Sequence, residues 1–141
     1  MKLPTGEGNS PIVLATFEGS IKGKSKPKIL FYGLVYHVAY CHSILRRTFN
    51  HRHYDVIPAP SDGWESDPFH MSGRNGYLYG RGATDNKGPI LAAASAAAEL
   101  LARRALEVDL VFLIEGEEEC GSKGFAETVR KHKVCALEIP S

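Results

Sequence analysis

Several things are scarce in this sequence, and each scarcity excludes something. Cysteine occurs three times, as Cys41, Cys120 and Cys135, with no Cys-x-x-Cys pair and one thiol left over. That fits neither a disulfide framework nor a cysteine zinc knuckle, and a reduced, cytoplasmic setting is the expectation. Net charge is nearly absent: 17 basic against 16 acidic side chains leave +1. No bulk field therefore draws the chain to nucleic acid or to a membrane surface. No apolar run approaches the ~20 residues of a membrane span, and the opening MKLPTGEGNSP lacks the apolar stretch of a secretory leader. The phosphate-binding pattern GxxxxGK[ST] is also missing, so Asn86-Lys87 opens no nucleotide loop.

What is present is ordinary for a globular domain: 141 residues, 43% hydrophobic and 23% charged, enough for one core. Ile12–Phe17 (IVLATF), bounded by Pro11 and Gly19, reads as a strand, and so does Ile29–Tyr32 before Gly33. Tyr77–Tyr79 predicts a brief third strand. The alanine-rich Ile90–Ala105 predicts a helix, and the nearly all-apolar Val108–Ile114 a strand buried on both faces. Gly124–His132 is amphipathic and predicts a second helix. Strands alternating with helices indicate an α/β layer fold, in which sites lie beyond the carboxyl ends of strands. One stretch fits neither period. Leu34–Arg52 carries three arginines, three histidines and no acid, unlike the sequence on either side.

Three loops concentrate the chemistry. His53-Tyr54-Asp55 places a histidine and an aspartate on one side of an extended backbone. Asp85 lies between the turn glycines Gly80 and Gly82 and the helix-opening Gly88-Pro89, near the positive end of the helix dipole, where a carboxylate could be shared by two metal ions. Glu117-Glu118-Glu119 follows the most apolar strand and precedes Cys120-Gly121-Ser122. Each piece alone has an ordinary reading: a surface pair, a helix cap, a solvated acidic face. Together, imidazole and carboxylates are the donor set of a catalytic zinc site, with a further carboxylate available as general base.

These segments resemble the dinuclear zinc peptidases, the family of carnosinases, cytosolic dipeptidases, aminoacylases and glutamate carboxypeptidases. Gly80-Arg81-Gly82-Ala83-Thr84-Asp85-Asn86-Lys87-Gly88 is similar to the family's bridging-aspartate motif. Glu115-Gly116-Glu117-Glu118-Glu119-Cys120-Gly121-Ser122 is similar to its paired-glutamate motif. Trp64 and Asp67-Pro68-Phe69 match the intervening stretch. The likeness covers residues 10–33 and 53–132 and runs nearest to the fungal branch active in glutathione degradation, a peptidase-like subunit of an amidotransferase-type complex. It implies the N-terminal part of a catalytic domain, a mixed β-sheet flanked by helices. It implies two zinc ions: His53 on one, Asp85 bridging both, Glu119 on the second. Glu118 would be the general base, Asp55 would orient the His53 imidazole, and the Asp85-Asn86 peptide would be cis. The implied reaction is zinc-dependent hydrolysis of short peptides, with glutathione or Cys-Gly breakdown as one setting.

The chain departs from that pattern twice. Nineteen residues, 34 to 52, separate Gly33 from His53, where the family runs directly from one to the other; an in-frame translated intron is the favoured reading over a loop insertion. The insert also creates a decoy: His51-Arg52-His53-Tyr54-Asp55 has the H-x-H-x-D order of other metallohydrolases, but Val56 stands where a histidine is needed. His37, His42 and His51 are accordingly not counted as ligands. Further, the family's later ligands and its lid or dimerisation domain are absent, and similarity fades from Val134. The expectation is a truncated, inactive fragment in which zinc is held weakly or not at all. A full-length protein would act on small peptides as a homodimer or beside an amidotransferase-like partner subunit. The alternative reading is a non-catalytic interaction subunit of a glutathione-degrading complex.

Overall fold

The computed structural model describes residues 1–20, 27–31, 39–40, 53–60 and 62–134, the pair 39–40 by backbone alone. Residues 21–26, Tyr32 at the end of the second predicted strand, Gly33, most of the 34–52 insert with His37, His42 and His51, Ser61 and the tail from Cys135 lie outside the described residues.

Strand formation follows the apolar runs. A five-stranded mixed sheet is built from β1 (Lys2–Leu3), β2 (Ile12–Phe17), β3 (Lys28–Phe31), β4 (Ala39–Tyr40) and the later strand β7 (Asp109–Ile114), in the order β1-β2-β7-β3-β4. β7 lies antiparallel to β2 and parallel to β3. It is the central strand, which explains its apolar composition: both faces are covered and both edges paired. β3 is only half-buried, with Lys28 exposed, because its outer neighbour is the two-residue β4. β5 (Ser72–Arg74) and β6 (Tyr77–Tyr79) form a separate hairpin. Its turn uses Asn75 and Gly76, both at positive φ, as a tight hairpin requires.

The sheet has two differently furnished faces. Side chains two apart share a face, so Ile12, Leu14, Leu30 and Leu113 point one way, and with Leu3 and Val134 they make the main core cluster. Helix α2 (Phe125–Lys131) covers that side through Phe125 and Val129. On the other face Phe112 is 2% exposed and meets Phe17 edge-on at 5.5 Å and Phe31 at 4.9 Å between ring centroids. Helix α1 (Gly88–Ala102) lies over Val13 and Ile114 on this side, leaving a cleft of about 270 Å³ beneath Ile90, Leu91 and Ala94.

α1 begins two residues earlier than the sequence pattern predicts, with Pro89 in its first turn. It stops at Ala102 rather than Ala105 because Arg104 takes a positive φ of 56°, which no helix accommodates.

The connections carry the site to one end of the sheet. β3 and β7 are parallel and pair with an offset of 81, from Lys28 with Asp109 to Phe31 with Phe112. His53 then pairs with Glu115 in an isolated parallel bridge. Three residues separate Phe112 from Glu115 along β7, whereas 22 separate Phe31 from His53. His53 thus occupies the register position that residue 34 would take were β3 continued.

Candidate metal centre

Every sequence-predicted site residue comes to the carboxyl end of β3 and β7. His53 is set there by its bridge to Glu115, reinforced by the Tyr54 amide donating to the Glu115 carbonyl at 2.8 Å. The imidazole is buried, 3% exposed. Its Nδ1 stands 3.2 Å from the Asp55 carbonyl oxygen and 3.3 Å from Asp55 Oδ1, and its Nε2 stands 3.1 Å from Asp85 Oδ1. A proton held on Nδ1 by Asp55 leaves Nε2 directed at the acidic residues, which is how a ligating histidine is oriented.

Asp85 reaches this point from a single wide turn, Ala83–Lys87, inserted before α1. Its backbone leaves helical geometry (φ −125°, ψ 95°), and the peptide to Asn86 is cis. No side chain caps the turn or α1; the carboxylate is spent on His53 instead. Gly82, at φ 79°, permits the turn, and a Cβ there would sit 2.5 Å from Val56 Cγ1.

The third loop leaves β7 at Glu115 and makes one tight turn, Glu118–Cys120. Glu118 Oε2 lies 3.9 Å from His53 Nε2. The Glu119 amide donates to Asp55 Oδ2 at 3.0 Å, so Asp55 ties the histidine segment to the glutamate loop. One ligand atom each from His53, Glu118 and Glu119 falls within 4.8 Å of the others.

Electrostatics match this crowding. Burial acts to lower the His53 pKa, but the hydrogen bond to Asp85, that to the Asp55 carbonyl and the nearby charges of Glu118 and Asp55 outweigh it, and the imidazole is pushed above its ordinary 6.5. Asp55, Asp85, Glu118 and Glu119 stand near one imidazole, a donor set of hard oxygens and one nitrogen that fits a divalent cation.

Three residues have surroundings that the sequence did not reveal. Glu115 is 1% and Asn86 0% exposed, although nothing in a run of acids marks one member as buried. Glu117, grouped with its neighbours as a candidate acid, accepts from the Ser10 amide at 2.7 Å, and this fixes its carboxyl below the ordinary carboxylate value. Its partner lies 107 residues away, beyond any local pattern. Of the thiols, Cys120 is free and exposed.

Comparison with known proteins places the chain. The model of peptidase family M20/M25/M40 matches residues 51–139, past the Val134 limit read from the sequence. A probable di- and tripeptidase, DUG2, of Saccharomyces cerevisiae is 37% identical over 143 residues, covering 96% of this chain and 14% of its own length. The beta-Ala-His dipeptidase of Rattus norvegicus is 38% identical over 136 residues, covering 94% of this chain and 23% of its own. Among solved structures, human carnosine dipeptidase 1 superposes with a TM-score of 0.62 at 38% identity over 89% of this chain and 22% of that one. An M20 family metallo-carboxypeptidase from Sulfolobus solfataricus gives 0.67 at 31% identity, over 89% and 24%. The chain thus spans between 14% and 24% of the length of these relatives. It is a mixed α/β portion of that architecture, and it belongs to peptidase family M20/M25/M40.

Proposed function

We propose that these residues are one side of the metal centre of a peptidase acting on short peptides. The observation that carries this reading is the approach of Asp85 Oδ1 and Glu118 Oε2 to one nitrogen, His53 Nε2, at 3.1 and 3.9 Å. His53, Asp85 and Glu119 would hold zinc, with Asp85 shared between two ions. When bound, zinc would polarise a substrate carbonyl and acidify water. Asp55 keeps the His53 proton on Nδ1. Glu118 takes a proton from the attacking water and passes it to the leaving amine, as a general base and then a general acid. The relatives' names, di- and tripeptidase, beta-Ala-His dipeptidase and Cys-Gly metallodipeptidase, indicate dipeptides and tripeptides as the substrate class.

The same ligand count limits this chain. His53 with Asp85, and Asp85 with Glu119, give two protein ligands per ion where catalytic zinc sites use three. We accordingly infer that the 141-residue chain binds zinc weakly and hydrolyses no dipeptide unaided. Zinc titration against a competing chelator tests the centre. Binding is expected in the chain as given, to fall at least ~10-fold in His53→Ala, and to persist in Glu118→Gln. Binding unchanged in His53→Ala would sink the assignment. Release of glycine from Cys-Gly by the chain alone, abolished in Glu118→Gln, would overturn the inactivity and uphold the base.

A further inference from the structure

Two of the segments that present the site grip the same short corner of the N-terminal loop. The Glu117 carboxylate, next to Glu118, accepts the Ser10 amide at 2.7 Å. The Tyr54 hydroxyl, between His53 and Asp55, donates to the Pro11 carbonyl at 2.7 Å. Ser10–Pro11 is itself held from behind, its Ser10 carbonyl accepting from the Thr5 hydroxyl at 2.8 Å. The three parts are in close packing, for a Cβ added at Gly116 would fall on the Tyr54 ring and against Ser10 Cβ.

We infer that Ser10–Pro11 is a cross-brace, and that Glu117 and Tyr54 are positioning residues which set the spacing between His53 and the Glu118–Glu119 loop through it. The inference rests on the metal-centre reading for its consequence, though not for its geometry. Asp55 already joins the two segments on the metal side, its Oδ2 accepting the Glu119 amide. The brace joins them again on the opposite side, by way of a third segment. The Tyr54 amide holds the base of the loop at the Glu115 carbonyl, and beyond that point the Asp55 contact and the brace together resist hinging that either alone would allow. Neither Glu117 nor Tyr54 touches substrate in this role. Their effect reaches the centre only through the position of the loop.

The test uses backbone amide exchange in the full chain without metal, with Phe112 and Leu113 of β7 as the reference for global opening. In Glu117→Ala the Glu119 amide should exchange about 10-fold faster while the β7 amides change by less than about twofold. Glu117→Gln keeps an oxygen acceptor for Ser10 and should restore slow exchange. Tyr54→Phe, which removes one hydroxyl and keeps the ring, should accelerate Glu119 by a smaller factor. Unchanged exchange at Glu119, or Glu119 and β7 accelerating together, overturns the brace. Zinc titration of the same variants separates the two readings. A parent chain that binds no zinc removes the metal centre and leaves exchange to judge the brace. A parent that binds, with Glu117→Ala binding equally well, removes the positioning role.

Discussion

His53 is the side chain on which the site depends, and its titration sets a sign. The fold raises its pKa above 6.5 because the contacts with Asp85 and Asp55 outweigh burial. In the metal-free chain, the stabilisation from a charged imidazole is therefore fully present below pH 6.5 and is lost as pH rises through the raised value. A metal ion must displace that same proton, so zinc affinity moves the other way. It should climb by about tenfold per pH unit across the interval and level off above it. Chelator competition at a series of pH values measures this, and a flat profile would mean that His53 is no ligand. How much was legible differs residue by residue. Glu118 and Glu119 stood out because an acidic run without a structural purpose followed an apolar strand, and His53 and Asp85 stood out through their combination with it and the family resemblance. Glu117 did not, because its purpose lies in Ser10.

Among the elements, β2, β7 and both helices were readable from apolar period and from Gly and Pro at their ends. Their boundaries shifted where a single backbone angle decided the matter, as at Arg104. Pairing was not readable: β7 sits between β2 and β3, an order that no local run encodes. That pairing bears on the foreign stretch 34–52. The His53–Glu115 bridge continues the β3–β7 register as though those 19 residues were absent, which supports the proposal that they are an insertion, intron-derived or otherwise. Among the described residues, the short β4 would be lost with them. Joining Gly33 to His53 should leave the sheet intact and cost no more than ~1 kcal/mol, because removing a long loop lowers the closure entropy. A urea midpoint that collapses in the deletion, or loss of the slow Phe112 amide, would show that the insert is structural.

The whole molecule carries more apolar surface than its small core explains. Leu91, Leu100 and Leu101 on α1 are exposed, as are Tyr77 and Leu78 on the hairpin, at 38–69%. α1 buries only Ala97 among its fifteen residues, and a helix apolar on all sides is normally covered on all sides. Among the described residues no helix is long and apolar enough to cross a membrane. Self-association in dilute buffer is the expected result. Replacing Leu91 and Leu101 by lysine should reduce it while changing stability by less than ~0.5 kcal/mol per site. Sedimentation velocity against concentration decides the point, and equal association in parent and variant would place the contact elsewhere.

The central place of β7 has a consequence for synthesis. β2 and β3 find their main partner in a strand made about 90 residues after β2. At ribosomal rates of 5–20 residues per second, this is a wait on the order of 5–20 s. Throughout it the nascent N-terminal strands have unpaired edges, and over its later part His53 is already made while Glu118 is not. Chaperone capture of the nascent chain would be concentrated in that interval, ending as Ile114 clears the exit tunnel.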